Sequence, residues 1–233
     1  MPDARQDSPS QTLDRGLRML EALADNPGLT ITELASMLGL HRSIAYRMLR
    51  THEAHGFLVR DAGGRIQLGA GLAALARSVA PDLQATAAPE LSRLAEDLGM
   101  TSFLVVLDRG ECVTLATASP LDAVAAVAQR PGSRHPLDRG APGVAIQAML
   151  TEPQWIAVGG HDGERVEASA ARRLGYAFTR DEVVPGLSSV AAAFAPAGGT
   201  PVAVAVVYIG ERDVTAIGAR VRGAADAIAR HLG

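Results

Sequence analysis

The spacing of apolar side chains predicts two short helices at the start of the chain. Four leucines recur at intervals of four and three residues, on one face of a helix that ends at the sequence DNPG: Leu13, Leu17, Leu20 and Leu23. A second helix follows, for which Thr30 or Thr32 is the N-cap. Glu33 stands three residues after Thr30, as in a capping box, and Gly39 ends this helix.

A third helix is predicted over residues 41–54, followed by a glycine-tipped hairpin. Ile44, Met48 and Leu49 lie at helical spacing and are expected to pack inward. The opposite side presents polar and basic residues, which are Arg42, Ser43, Tyr46, Arg47 and Arg50. The stretches GFLVRD, AGG and RIQLG are typical of strand, turn and strand. This order of elements predicts a winged helix-turn-helix over residues 11–69.

The pattern of hydrophobic and polar residues changes before and after this predicted winged helix-turn-helix. Residues 1–10 are polar and contain proline, which predicts a disordered lead-in. Residues 70–81 are typical of a linker helix that Pro81 ends, and residues 82–233 of a second domain that opens with an amphipathic helix over 89–99. Its strand candidates are 101–108, 111–119, 123–129, 188–199 and 201–210. Helix, sheet and closing helix in this order predict an α+β fold around an antiparallel sheet.

Composition excludes several classes of protein. A chain of 233 residues with 48% hydrophobic content can bury a core in one large or two small domains. The single cysteine, Cys112, excludes an internal disulfide framework and fits a reducing compartment. No apolar run approaches the roughly 18 residues of a membrane span, and the start does not resemble a signal peptide. We therefore expect a soluble, cytoplasmic protein.

Charge is distributed unevenly along the chain. The formal net charge is -3, yet residues 41–69 contain five arginines against two carboxylates. DNA has about one negative charge per 1.7 Å of its axis, so a helix that presents arginines gains affinity through phosphates and specificity through base edges. The predicted DNA-binding residues are Arg42, Ser43, Tyr46 and Arg47 in the major groove, Arg50 on the same face, Arg65 on the wing, and Thr30 and Thr32 at a phosphate. The alternative is a solvated arginine face used for packing or protein contact.

Three other sequence features suggest cofactor binding, metal binding or catalysis, but each lacks the neighbouring residues that such a site needs. GAGLAA, from Gly69 to Ala74, has the form of a dinucleotide fingerprint, but the strand before it is short and polar. His41, His52 and His55 lack cysteine or carboxylate partners at metal-binding spacing. Cys112 with His135 or His161 lacks an orienting motif for a nucleophile. We therefore expect no cofactor, no metal site and no enzymatic activity.

The chain resembles the IclR-type (isocitrate lyase regulator) family of bacterial transcription factors. The resemblance rests on TLDRGLRMLEAL, LTITELASMLGLHRSIAYRMLRTHEAHGFL, GGRIQLG, RHPLDRGAPGVAI and RRLGYAFTRDEVVPGLSSVAAAFAPAGGTPVAVAVVYIG, which together cover nearly the whole chain. It implies a winged helix, a linker helix, a GAF-like effector-binding domain, and dimers that pair into tetramers on DNA.

The resemblance also implies an effector pocket, with local departures from the family pattern. Asp138 stands where the family usually has histidine, Val144 where it has lysine, and Ser189 where it often has cysteine. Val207 and Ile209 stand at positions that are often serine, which favours an apolar or aromatic effector. The expected effector-binding residues are Arg134, Asp138, Arg139, Ala141, Asp181, Ser189, Val207 and Ile209. Alternatively, the apolar members pack in the core and the arginines are solvated.

These observations predict a sequence-specific DNA-binding regulator that responds to a small molecule. The linker helix would couple the effector-binding domain to the paired winged helices of a homodimer or tetramer. The alternative is a small-molecule-binding GAF-like protein or enzyme whose N-terminal unit mediates protein contact. Specific retardation of upstream DNA in a mobility-shift assay distinguishes the two.

Overall fold

The computed structural model describes residues 10–121, 129–158, 165–196 and 199–232. The chain forms two compact units, Met1–Val79 and Ala80–Gly233, which are described separately. The strand candidate at 123–129 lies outside the described residues except for Gln129, as does the expected lead-in except for Ser10, and His161 is also outside them.

The first unit has the element order predicted for a winged helix-turn-helix. Its elements are α1 (Gln11–Asp25), α2 (Ile31–Met37), α3 (Arg42–Ala54), β1 (Leu58–Arg60), β2 (Ile66–Leu68) and α4 (Ala70–Ala76). Thr30 is the N-cap of α2: its N–H donates to the Glu33 carboxylate at 2.7 Å, and the Glu33 N–H donates to its hydroxyl at 3.4 Å. The capping box predicted with Thr30 is therefore confirmed, while Thr32 lies exposed in the first turn.

Helix α1 buries a narrower face than its leucine spacing indicates. Its buried residues are Gly16, Met19 and Leu23. Leu13 and Leu17 are 62% and 49% exposed, so half of the leucine row lies outside the core. On the inward side of α1, Nε2 of His52 in α3 lies 3.0 Å from the carbonyl oxygen of Gly16.

The wing is anchored to the loop before α2. Strands β1 and β2 pair antiparallel, with Leu58 opposite Leu68. On the other edge of β2, the Ile66 N–H donates to the carbonyl of Leu29 at 2.8 Å, and the Gly28 N–H donates to the carbonyl of Ile66 at 3.2 Å. These bonds attach the hairpin to the helical part of the unit.

Two glycines after the wing allow a close approach of backbones. A Cβ on Gly69 would lie 2.2 Å from the carbonyl oxygen of Gly56, and one on Gly71 would lie 2.8 Å from it. The Gly69 N–H donates to the carbonyl of Phe57 at 2.7 Å, and the Gly71 N–H donates to that of Gly56 at 3.0 Å. Backbone packing therefore accounts for the G-x-G spacing that resembles a dinucleotide fingerprint.

The predicted linker helix is wrong at its C-terminal end. Helix α4 ends at Ala76, and Pro81 opens α5 (Pro81–Leu98) instead of ending a helix. Ala80, just before it, has a left-handed backbone with φ of 44°. Proline is favourable in a first turn because its missing N–H would have no helical partner there. The helix expected from residue 89 therefore begins at Pro81 and contains Pro89 in its interior.

The second unit is an antiparallel sheet with helices on both faces. Its elements after α5 are β3 (Thr101–Asp108), β4 (Glu111–Ala118), β5 (Arg134–Pro136), α6 (Gly140–Gln147), α7 (Glu152–Ala157), α8 (Val166–Leu174), β6 (Ala177–Arg180), β7 (Leu187–Phe194), β8 (Val202–Ile209) and α9 (Val214–Leu232). The strand order is β5-β4-β3-β8-β7-β6, and every neighbouring pair is antiparallel. Helices α5 and α9 contribute to one core cluster, and α6, α7 and α8 to the other. The α+β class is confirmed.

In the described parts of the chain, no helix is both long enough and apolar enough to cross a bilayer.

The contact between His52 and Gly16 predicts a loss of stability in mild acid. Burial of the ring lowers the pKa of His52 below its usual value of 6.5, although the Gly16 carbonyl opposes the shift. A depressed histidine pKa means that the neutral ring stabilises the fold above about pH 6.5, and that this stability is lost as the pH falls through the folded-state pKa.

Urea unfolding followed by circular dichroism at pH 7.5 and 5.5 measures this effect. We expect the wild-type midpoint to fall more between these pH values than that of His52→Gln, whose amide can still donate to Gly16. Equal falls for the two proteins would contradict the assignment to His52, since all other histidines are shared.

Candidate nucleic-acid interface and ligand cavity

Helix α3 presents a basic outer side, which we call the arginine face: Arg42, Ser43, Tyr46, Arg47 and Arg50. Ala45, Met48 and Leu49 attach the inner side to the core. Ile44, expected inside, and Tyr46, expected outside, are both half-buried and pack against that core. The Arg42 guanidinium lies 5.7 Å from the centre of the Tyr46 ring. Within the described residues, no carboxylate lies within ion-pairing distance of the three arginines. Their charge is therefore available to an external anion.

A histidine caps the start of this helix, which the sequence interpretation missed. Nδ1 of His41 accepts from the Ser43 N–H at 3.4 Å and lies 2.8 Å from its hydroxyl. Histidine is not among the residues preferred as N-caps, so residue type and spacing offered no signal for this contact. The contact orients Ser43 at the first turn of α3.

Two of the arginines between residues 41 and 69 have partners inside the unit. Arg60 makes a bidentate ion pair with Glu53, at 2.7 and 3.2 Å. Arg65 on the wing donates through Nη1 to the carbonyl of Gly28 at 2.8 Å. The ion pair neutralises Arg60, while Arg65 retains its charge beside the loop before α2.

The N-terminus of α2 is occupied by the chain itself. The Thr30 N–H and hydroxyl both donate to Glu33, and these bonds lower the pKa of the Glu33 carboxyl. A phosphate at this end of α2 would compete with a carboxylate that is already bound. The predicted phosphate contact of Thr30 therefore competes with the predicted capping box, and Thr32 remains exposed beside it.

The second unit contains a small cavity, about 60 Å³ in volume, between the sheet and the segment that follows β6. Its apolar and polar lining residues are Phe103, Gln129, His135, Gly140, Pro142, Thr179, Glu182, Val183, Val184, Leu187, Ser189 and Val207. Two wider grooves, of about 350 and 310 Å³, lie between α5 and α9 and between α6 and α8. We favour the small cavity as the ligand site because several polar groups converge on apolar walls there.

The structure brings only some of the expected effector-binding residues together. Ser189 and Val207 line the cavity, and six others are absent from its described lining: Arg134, Asp138, Arg139, Ala141, Asp181 and Ile209. Arg134 pairs with Glu111 at 2.9 Å and Asp108 at 3.2 Å. Arg139 and Asp138 are exposed, whereas Ala141 is fully buried in the core.

The last two expected residues have a local reason for lying elsewhere. Asp181 adopts a left-handed backbone with φ of 61°, and its carboxylate accepts from the Gly186 N–H at 2.5 Å. Ile209 is 59% exposed because β8 ends there. Both residues therefore lie outside the described lining of this cavity.

Three hydroxyl side chains and one valine lie in a row across the sheet, and three of these four residues line the cavity. Thr179 pairs with Ser189, Ser189 with Val207, and Val207 with Thr101, so all four lie on the same face of four adjacent strands. The Ser189 hydroxyl donates to the carbonyl of Val206 at 2.9 Å. Thr101 is 2% exposed, and its hydroxyl has no hydrogen-bond partner among the described residues. The Ser189 hydroxyl, whose proton is donated to Val206, can still accept a hydrogen bond from a polar group in the cavity.

A network at the edge of the cavity was not predicted. Both carboxylate oxygens of Glu182 accept from the Arg165 guanidinium, at 2.8 and 2.9 Å. The Gly140 N–H, at the start of α6, donates to Glu182 at 2.8 Å, and Arg165 also donates to the carbonyl of Asp138 at 2.8 Å. The partners are distant in sequence, so no local pattern could have indicated the network.

Cys112 and His135 are cross-strand partners but do not form a nucleophile pair. Burial raises the pKa of Cys112 to about 12, so the thiol stays protonated at neutral pH. Burial also lowers the pKa of His135, whose Nδ1 lies 3.0 Å from the carbonyl oxygen of Pro136. A neutral ring beside a protonated thiol lacks the charge that would activate the sulfur.

The three histidines considered as metal ligands have separate partners. His41 caps α3, His52 contacts Gly16, and His55 stacks on Phe57 with the ring centres 5.6 Å apart. In the described portion of the chain, no group of three or more histidine, cysteine and acidic side chains could hold a metal ion.

Comparison with protein-family models matches residues 12–62 to the IclR helix-turn-helix domain. The matched range contains α1 from its second residue and all of α2, α3 and β1, and therefore the whole arginine face. The family match thus falls on the surface that the charge distribution indicates.

Whole-chain comparisons extend the similarity into the second unit. The glycerol operon regulatory protein of Streptomyces griseus is 32% identical over 199 residues, 78% of each chain. The acetate operon repressor of Salmonella typhimurium is 30% identical over 204 residues, 78% of this chain and 73% of the repressor. The fold is similar to the crystal structure of an IclR homologue from Microbacterium hydrocarbonoxydans complexed with 4-hydroxybenzoate, with a TM-score of 0.80 and 24% identity over 95% of this chain and 98% of that one.

Proposed function

This chain belongs to the IclR family of DNA-binding transcriptional regulators, and on that basis we propose a role for each of its two units. The winged helix binds an operator, and the cavity of the second unit holds a small effector that modulates this binding. The relatives named above are operon regulators, which supports regulation over catalysis.

The exposed arginine face is the observation on which the DNA-binding mode rests. We propose that α3 enters the major groove, with Arg42, Ser43 and Arg47 near base edges. Arg50, further along the same helix, and Arg65 on the wing would contact phosphates. The absence of described carboxylate partners for the α3 arginines supports this role, because an arginine already paired would gain little from a phosphate.

A mobility-shift assay with DNA from upstream of the coding region tests the proposal. We expect specific retardation at about 150 mM salt, where non-specific binding is weak. Unrelated DNA of equal length and base composition is the control. Equal retardation of both fragments, or none at low salt, would contradict sequence-specific operator binding.

We also propose that the effector is small and apolar or aromatic. Phe103, Leu187 and Val207 give the cavity apolar walls, and Thr179 and Ser189 add hydroxyls that can orient a ligand. The similar structure from Microbacterium hydrocarbonoxydans holds an aromatic compound, which supports an effector of this class. An effector that binds here would change the amount of DNA retarded in the same assay.

We propose that the chain acts in the cytoplasm as a homodimer or tetramer. The leucine side chains left exposed on α1, Leu13 and Leu17, and Leu75 on α4 supply apolar surface for such an association. Two winged helices related by a two-fold axis would then bind half-sites about 34–36 Å apart, or a multiple of that spacing.

A further inference from the structure

His135 is a titratable side chain in the wall of the cavity. It lies in β5, at the edge of the sheet, and its half-buried ring is part of the cavity lining. A Cβ added at Gly140, another lining residue, would lie 3.5 Å from Cε1 of the ring, so the imidazole packs against the start of α6. Nδ1 lies 3.0 Å from the carbonyl oxygen of Pro136. The ring is therefore held in the cavity wall by its own segment of chain.

Three other polar side chains of the described lining already have partners inside the protein. Gln129 donates to a threonine hydroxyl at 2.6 Å, and the Ser189 hydroxyl donates to a backbone carbonyl at 2.9 Å. Glu182 is ionised, but its two oxygens accept from Arg165, so this pair carries no net charge. His135 is therefore the described lining residue whose charge can still change near neutral pH when a ligand enters.

Opposing influences act on the protonation of this ring. Burial is the largest cause, and it lowers the pKa of His135 below the usual value of 6.5. Four neighbours oppose the shift, which are the carbonyls of Pro136 and Arg139 and the carboxylates of Asp138 and Glu111. The ring of the free protein is therefore neutral at pH 7, and one more negative charge close to it would favour the protonated form.

Other titratable or charged groups near the ring do not supply that charge. The thiol of Cys112, opposite on β4, has a pKa of about 12 and is uncharged at neutral pH. Arg134, the preceding residue in β5, pairs with two carboxylates at 2.9 and 3.2 Å. Glu182, on the segment after β6, is paired as described above. Arg139 is exposed at the start of α6 and keeps its charge at every pH considered, so it attracts an anion without pH dependence.

We propose that His135 is a specificity-determining residue of the cavity, which recognises a carboxylate of the ligand and takes up a proton as that ligand binds. The inference rests on the proposed function, in which this cavity holds the effector. It describes the effector as a small acid with an apolar body, and it makes the response to that effector dependent on pH.

The direction of the pH dependence follows from linkage. A carboxylate beside the ring raises the pKa of His135 in the complex above its value in the free protein. Affinity for the anion is therefore highest below the free-state pKa, and it falls as the pH rises through the bound-state pKa. A difference of one unit between the two pKa values corresponds to about a tenfold change in affinity.

Isothermal titration of the full-length protein in two buffers of different ionisation enthalpy measures the proton uptake directly. The anionic probes are acetate and benzoate, and acetamide and benzamide are neutral probes of matched shape. For the wild type, we expect at least one anion to bind with uptake of about half a proton at pH 7, and about tenfold more tightly at pH 6 than at pH 8. The matching amide should bind without proton uptake, and its affinity should change less than about twofold over this range.

Three variants assign the proton to one side chain. His135→Gln keeps a hydrogen-bonding group but cannot be protonated, so the uptake and the pH dependence of anion binding should both disappear, and His135→Asn replaces it if that protein does not fold. His231→Gln is the matched control in the same unit, because this histidine is exposed on α9 and outside the described lining. Arg139→Ala should weaken the anion equally at pH 6 and pH 8 and leave the uptake unchanged.

Four results would overturn the inference: anion binding without proton uptake, uptake that persists in a folded His135 variant, uptake that is lost in His231→Gln or Arg139→Ala, and no binding of either anion. Amide binding beside any of these results would retain the cavity as a ligand site and reject only the role of His135. Failure of all four probes to bind would reject the cavity as the site for ligands of this class as well. Operator retardation, measured on the same samples without ligand, tests the DNA-binding function separately.

Discussion

Replacing Arg47 with alanine is expected to weaken operator binding by about tenfold or more, since a good arginine contact to a base contributes roughly 1–3 kcal/mol. Arg47 is exposed on the outer side of α3, one turn after Ser43, where recognition helices approach base edges. Titration by fluorescence anisotropy at several salt concentrations measures both the affinity and its salt dependence. If Arg47 contacts a phosphate, the slope should fall by about one, whereas a base contact should leave the slope nearly unchanged and relax sequence preference.

Arg60→Ala is the matched control for this measurement. It removes the same side chain from the same unit, but the ion pair with Glu53 already neutralises that charge. We expect operator affinity to change by less than about threefold, because Arg60 is bound to Glu53 and is not free to contact a phosphate. Wild-type affinity and salt slope in a folded Arg47→Ala protein would remove Arg47 from the DNA interface.

Replacing Gly69 with alanine is expected to destabilise the winged helix by about 3 kcal/mol, at the upper end of the usual cost of overpacking. The new Cβ would lie 2.2 Å from the carbonyl oxygen of Gly56, which is a backbone atom and cannot rotate away. To relieve this overlap the backbone at residue 69 would have to move, which would break the hydrogen bond from the Gly69 N–H to the carbonyl of Phe57. Since a domain has only about 5–15 kcal/mol of stability, operator binding should weaken at 37 °C as well.

Hydrogen exchange of the full-length protein, resolved on residues 41–71, measures this local loss of stability. Gly63→Ala is the control in the same unit, where the nearest atom to a new Cβ is the Asp61 side-chain oxygen at 3.3 Å. That carboxylate is exposed and can shift, so we expect an effect of less than about 1 kcal/mol. Exchange in Gly69→Ala as slow as in the control would show that the backbone approach is not tight in solution.

The features that the sequence alone predicts depend on contacts between residues close together in the chain. The capping box of Thr30 and Glu33 involves residues three apart, and the inward positions Met48 and Leu49 follow from helical spacing. The glycine-tipped hairpin depends on a turn of a few residues, and β1 and β2 formed where the pattern placed them. Local geometry restricts such contacts so strongly that residue type and spacing suffice to predict them.

The tertiary structure decided which charged side chains form ion pairs. Counting arginines between residues 41 and 69 gave equal weight to Arg47 and Arg60, but the fold pairs Arg60 with Glu53 across α3 and β1. Of the charged residues expected around the effector, none lines the described cavity, while Glu182 does. An ion pair depends on distance in space, about which residue type and spacing say little when the partners belong to different elements.

The amino-acid sequence by itself determined the class of this protein: a winged helix with a basic recognition face, followed by an antiparallel α+β unit. Only the tertiary structure decided which arginines remain available to DNA and what lines the cavity. The bond between Gly140 and Glu182 joins residues 42 positions apart. Such a contact forms because α6 and the segment after β6 pack on the same face of one sheet, and packing of that kind leaves no periodic signal in the sequence.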